Sequence, residues 1–125
     1  MHKPQKQVNN FSLMTQQYHQ HTPGIPPEDI IKLRKKLIRE EQDELFEALD
    51  QKNLPEAADA LADLLYVVYG TASALGINME PVFDEVHRAN IQKREGPIRE
   101  DGKQLKPKNW QPPQIKPILK EQTQP

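Results

Sequence analysis

The chain has 125 residues, with 17 basic and 18 acidic side chains and a formal net charge of -1, so one domain is expected and no global field draws it to nucleic acid or an anionic membrane. It has no cysteine, which rules out disulfides, thiolate chemistry and a cysteine-type zinc site. The most apolar run, residues 57–75, is interrupted by Asp59 and Asp63, so no stretch reads as a signal peptide or a membrane span and the protein is expected to be soluble and cytoplasmic.

Ten of the twelve prolines stand before residue 28 or after residue 96, which predicts a folded middle between loosely ordered ends. Residues 1–7 read as a flexible N-terminus, residues 8–95 as an all-α domain, and residues 96–125 as an irregular, proline-rich extension over the bundle with Trp110 as its large anchor. The first helix is predicted from Val8 to His21 on the spacing of Phe11, Met14 and Tyr18, with Pro23-Gly24 ending it. The second opens at Pro27, carries Glu28 and Asp29 in its first turn, and runs to Asp50, a length of about 35 Å. Asn53 is placed to N-cap a third helix, with Pro55 just inside, which ends at Leu75-Gly76. A fourth runs from Met79 to Arg94 and stops at Gly96-Pro97. Short links make successive helices antiparallel, as in a four-helix bundle.

On a helical wheel Ile30, Leu33, Leu37, Glu41, Glu44 and Ala48 form one stripe, so two glutamates occupy positions where the pattern calls for apolar side chains. Glu40 lies at the edge of that stripe, whereas Asp43 and Glu47 fall outside it, toward solvent. The third helix is apolar on most faces, yet it carries Asp59 and Asp63 four residues apart, with Glu56 one turn earlier. Two acidic stripes facing each other across a core need compensating positive charge, because buried ionised carboxylates are costly. The inward positions of the two helices offer no basic side chain, since Lys32, Lys35, Lys36 and Arg39 lie mostly on the outer face. Oxygen donors without cysteine or a central histidine suit a hard divalent cation, Mg²⁺ with Mn²⁺ as a substitute. Glu56 has a second reading, as the partner of Asn53 in a capping box.

These residues resemble the all-α nucleoside triphosphate pyrophosphohydrolases, the superfamily of MazG-like, dimeric dUTPase-like and phosphoribosyl-ATP pyrophosphohydrolase-like proteins. The resemblance is carried by Glu40-Glu41-Gln42-Asp43-Glu44, by Ala60-Leu61-Ala62-Asp63-Leu64-Leu65-Tyr66-Val67-Val68, and by Val86-His87-Arg88-Ala89-Asn90-Ile91-Gln92-Lys93, in the order expected. It implies a MazG-type fold and metal-assisted cleavage of a nucleoside triphosphate to the monophosphate and pyrophosphate. Where that superfamily has Glu-x-x-Asp, alignment through Asp63 puts Ala60 at the glutamate, so either Asp59 takes over or the motif is Glu56-Ala57-Ala58-Asp59 with Asp63 added. We read Glu41, Glu44, Asp59 and Asp63 as metal ligands and Glu40 as the group that activates water. Asn90 and Lys93 match positions that contact substrate. His19, beside Tyr18, and Trp110 are further candidates for binding the base, each with packing as the plainer reading.

Phosphoribosyl-ATP pyrophosphohydrolase is the second enzyme reading, ranked lower because that enzyme places a histidine after the tyrosine where this chain has Tyr66-Val67. A non-catalytic helical binding module is the reading from a different class. An all-round apolar third helix, with Gly70, Ala72 and Ala74 permitting close approach, predicts a homodimer or a dimer of dimers.

Overall fold

The computed structural model describes residues 1–124; Pro125, the last residue of the expected extension, lies outside them. Helices α1 (Lys3–Met14), α2 (Glu28–Asp50), α3 (Leu54–Leu75), α4 (Met79–Gln92) and α5 (Ile115–Thr123) follow one another, with a 3-10 turn at Lys93–Glu95 after α4. Among the described residues there is no strand, and one isolated antiparallel bridge joins Ile98 to Gln104. The all-α class expected from the sequence is the one observed. No single helix among the described residues is long and apolar enough to cross a membrane. The chain divides into two units, the first ending at Asn78 and the second opening at Met79.

In the first unit α2 and α3 pack along their lengths and α1 packs on α3. The buried side chains there are mostly small, Ala48, Ala57, Ala60, Ala72 and Ala74 with Leu45 and Val8, which brings the α2 and α3 backbones close. Asn53 caps α3 as expected, its Oδ1 accepting from the Glu56 N–H at 3.2 Å. At the other end Gly76, at φ 69°, closes the helix: its N–H donates to Ser73 O at 3.1 Å and the Ile77 N–H to Ala72 O at 3.0 Å, which is the Schellman arrangement. A side chain at residue 76 would also run into the Thr22 carbonyl.

The first helix differs from its prediction at both ends. It starts five residues early, with Pro4 preorganising its first turn, and stops at Met14 instead of His21. Its early part carries no apolar signal because the tether is polar: Gln5 is wholly buried and its amide donates to Ile77 O at 2.6 Å. Tyr18 and His19 therefore lie in the connection to α2 and not on a helix. That connection is held by the C-terminal carbonyls of α3, which have no intrahelical donors. Gln20 N–H bonds Ser73 O at 3.1 Å, the Gln20 amide bonds Ala74 O at 2.9 Å, and Gly24 N–H bonds Leu75 O at 2.9 Å.

The expectation that no basic side chain faces inward is overturned by Arg34. It is 8% exposed, with Nε donating to Thr71 Oγ1 at 3.1 Å and Nη2 to Val67 O at 2.8 Å across the α2–α3 interface. Gly70 makes the room: a Cβ there would sit 2.4 Å from Arg34 Nη2. Arg34 follows Leu33 at the edge of the apolar stripe, and a missing side chain on the facing helix lets it turn in.

The second unit contains α4, α5 and the segment between them. The extension is not irregular throughout, since α5 forms near its end with Leu119 and Ile118 half-buried. Gln104 organises the loop after α4, its amide donating at 2.7 Å to both Lys93 O and Gly96 O. Glu85 of α4 accepts two hydrogen bonds from Arg88, at 2.7 and 3.0 Å, and one from the Gln114 N–H at 2.6 Å.

Candidate functional site

The antiparallel register of α2 and α3 sets the geometry. Glu41 and Glu44 lie on one face of α2, one turn apart, and Asp63 stands opposite on α3, so that one carboxylate oxygen from each lies within 4.8 Å of the others. Glu41 is the innermost member: its Oε2 is buried and has no hydrogen-bond partner. Burial first, then the carboxylates of Glu44, Asp63 and Glu40, push the Glu41 carboxyl above its ordinary value. Three converging acids, one with an orphaned oxygen, form a site with surplus negative charge. A divalent cation with oxygen preference fits that donor set.

Beside this trio a cleft of about 500 Å³ opens between the C-terminal half of α2 and the start of α3. Glu44, Glu47, Glu56, Asp59 and Asp63 line it. Asp59 is thus in the cleft but outside the trio of converging oxygens, and Glu40 is exposed at the rim of the trio, where its charge reaches Glu41. Glu47 is exposed, as the wheel expects, and it also lines the open cleft one turn beyond Glu44. The i, i+3 neighbour rule is the signal that would have found it. The capping box at Glu56 is half-made, because the Asn53 N–H bonds Ala48 O at 3.0 Å, and the Glu56 carboxylate lines the acidic cleft.

His19 belongs to the connection after α1, with Nδ1 3.2 Å from Gln17 O and its ring edge-on to His21. Asn90, Lys93 and Trp110 belong to the second unit. Asn90 is exposed on the last turn of α4, and Lys93 opens the 3-10 turn. Trp110 donates its Nε1–H to Ala89 O at 2.6 Å, and the Lys93 and Lys106 ammonium groups lie 5.0 and 5.5 Å from its ring centre. Next to it a groove of about 450 Å³ is lined by Ile91, Arg94, Pro107 and Lys108 among others.

A stretch of 50 residues is 50% identical to the uncharacterized protein L479 of Acanthamoeba polyphaga mimivirus. It covers 40% of this chain and about a fifth of the viral protein's length. Residues 8–90, which contain the paired acidic helices and run to Asn90, match the phosphoribosyl-ATP pyrophosphohydrolase family. With its acidic helix pair in that matched region and an all-helical fold around it, the chain belongs to the phosphoribosyl-ATP pyrophosphohydrolase family, within the all-α nucleoside triphosphate pyrophosphohydrolase superfamily.

Proposed function

We propose that the protein is a Mg²⁺-dependent pyrophosphohydrolase that cleaves a nucleoside triphosphate to the monophosphate and pyrophosphate. The observation that carries this reading is the buried, unpartnered Glu41 oxygen among the converging acids Glu44 and Asp63. In it Glu41, Glu44 and Asp63 hold the metal, and Asp59, in the adjoining cleft, completes the ligand set. The bound cation supplies neutralisation of phosphate oxygens and a more acidic water. Glu40, exposed at the solvent edge of the trio, takes the proton of the attacking water. Glu47 and Glu56 add negative charge that keeps free phosphate out unless metal accompanies it. Asn90 and Lys93, in the second unit, carry an amide and an ammonium of the kind that binds sugar and phosphate, and His19 and Trp110 carry rings of the kind that stack on a base.

The family match favours a second reading, phosphoribosyl-ATP as the substrate. The Tyr66-Val67 pair argues for the simpler triphosphates. Both readings predict pyrophosphate release, and a nucleotide panel assayed by anion exchange with Mg²⁺ separates them by substrate. Release of single phosphate in place of pyrophosphate refutes the cleavage position. A non-catalytic module would release neither, and would gain no thermal stability from Mg²⁺.

A second copy of the chain completes the assembly. On α3, Leu61, Leu65 and Val68 form a stripe at i, i+4, i+7 and are 50%, 58% and 40% exposed, an apolar face that a homodimer or a dimer of dimers would cover. With this composition and enzyme class, the cytoplasm is the compartment we assign.

A further inference from the structure

Arg34 lies in the interior and, among the described residues, has no counter-ion. Its hydrogen bonds go to two neutral acceptors, Val67 O and Thr71 Oγ1, and burial alone bears on its titration, lowering it. Its Nη1 takes part in neither bond. An arginine cannot shed its proton under ordinary conditions, so it stands ready to donate to an acceptor that comes from outside.

Two adjoining cavities, of about 110 and 220 Å³, meet at Arg34 and share Gln17 and Leu37. Their other walls include Phe11, Tyr66, Tyr18 and Leu33, all partly exposed, with Phe11 and Tyr66 in edge contact at 5.6 Å. Flat apolar walls with a few convergent polar groups suit a heteroaromatic ring. The placement along the helices is equally specific. Arg34 is seven residues before Glu41 on α2, and Gly70 is seven residues after Asp63 on α3. Both helices thus measure two turns, about 10 Å, from the converging carboxylates to the guanidinium. An extended nucleotide with its phosphates at the acids reaches that far with the outer edge of its base.

We propose that the cavity around Arg34 receives the nucleobase, with the guanidinium donating to an oxo group on the edge farthest from the sugar. This rests on the pyrophosphohydrolase reading and adds to it a base preference: 6-oxopurine and 4-oxopyrimidine nucleotides over their 6-amino and 4-amino counterparts. A guanidinium has no acceptor to offer an exocyclic amine, so an amino base in the same pose sets donor against donor where an oxo base accepts.

The test uses two matched pairs, guanosine against adenosine and uridine against cytidine triphosphate, with Mg²⁺. Pyrophosphate release is followed alongside calorimetric binding of the α,β-imido analogues. In the wild type the oxo member of each pair is expected to be favoured by on the order of 10- to 100-fold in kcat/KM and in affinity. Arg34→Lys is expected to bring each ratio toward one by raising KM for the oxo member. Leu33→Trp, made at a half-exposed wall residue outside Arg34's hydrogen bonds, fills the cavity and is expected to raise KM for all four nucleotides without loss of helicity by circular dichroism. Equal ratios in the wild type, or an Arg34→Lys that weakens all four alike, would assign Arg34 to holding α2 on α3 and overturn the proposal. Oxo-selective binding without pyrophosphate release would overturn the hydrolase reading and keep the base pocket. Pyrophosphate release without base preference would do the reverse, and neither binding nor release would remove both.

Discussion

Gly70→Ala tests whether Arg34 is lodged where the structure has it, because two effects of known size oppose each other. In an exposed helix interior, replacing glycine by alanine stabilises by about 1 kcal/mol. Here the new Cβ would lie 2.4 Å from Arg34 Nη2, where ordinary contact needs a good ångström more. The guanidinium is the far end of a flexible side chain and can swing into the cavities beside it, so the steric cost itself is small. What it loses are its bonds at 2.8 and 3.1 Å to Val67 O and Thr71 Oγ1. Bonds from charged donors contribute about 1.5 kcal/mol each at the low end, so the pair outweighs the helix gain and leaves a net loss of about 2 kcal/mol. At about 4 °C per kcal/mol, Tm falls by roughly 8 °C in differential scanning calorimetry. The double variant Gly70→Ala with Arg34→Met removes the clash and should recover most of that loss. A Gly70→Ala protein more stable than the wild type would refute the buried guanidinium.

Glu41→Gln should act in opposite directions with and without metal. A carboxyl raised above its ordinary value favours the fold when protonated, so metal-free stability falls as pH rises through that raised value and stays low at neutrality. At pH 7 the variant is therefore more stable than the wild type without metal, yet it loses the Mg²⁺-dependent gain, about 2.7 kcal/mol at a hundredfold excess over Kd, and all turnover; scanning fluorimetry with and without Mg²⁺ reads both. Glu85 has the contrary sign: hydrogen bonds from Arg88, then from the Gln114 N–H, hold its carboxyl down to about 2. Its contribution is complete above the ordinary value of 4.5 and is lost as pH falls toward 2, so acid titration of Trp110 fluorescence should show a step that Glu85→Gln lacks. Leu65→Asp, on the exposed α3 stripe, should leave circular dichroism unchanged and yield a monomer in light scattering; an unaltered mass would move the interface elsewhere.

Much of the first unit was legible because hydrophobic period and capping chemistry agree there. Asn53, Pro55 and Gly76 bound α3 as read, and Glu41, Glu44 and Asp63 converge between α2 and α3, though not in a sealed core as expected: Glu44 and Asp59 are exposed and Glu41 and Asp63 half-buried, because the cleft beside them is open. The start of α1 was not legible, since its anchor is the amide of Gln5, and polar tethers leave no period. Arg34 escaped for a related reason: a wheel describes one helix at a time, and the vacancy that admits this side chain belongs to Gly70 on the other. Glu47 is solvent-exposed as read, and what the wheel could not show is that the open cleft reaches around α2 to it. The short helix α5 lacked a sequence signal long enough to separate it from the proline-rich run around it.

Two paired helices in fixed register behave as a ruler, and Arg34 and Glu41 are marks on the same scale. Adding or deleting one residue between them would swing one mark by about 100° around the axis and slide it about 1.5 Å, separating the two ends of any ligand that spans them. Length changes should accordingly gather in the turn around Gln51 and Lys52 or in the long connection before α2, leaving the graduated stretches uninterrupted. Point substitutions face no such limit, so the acidic end and the Arg34 end can be retuned separately while the scale between them keeps its length.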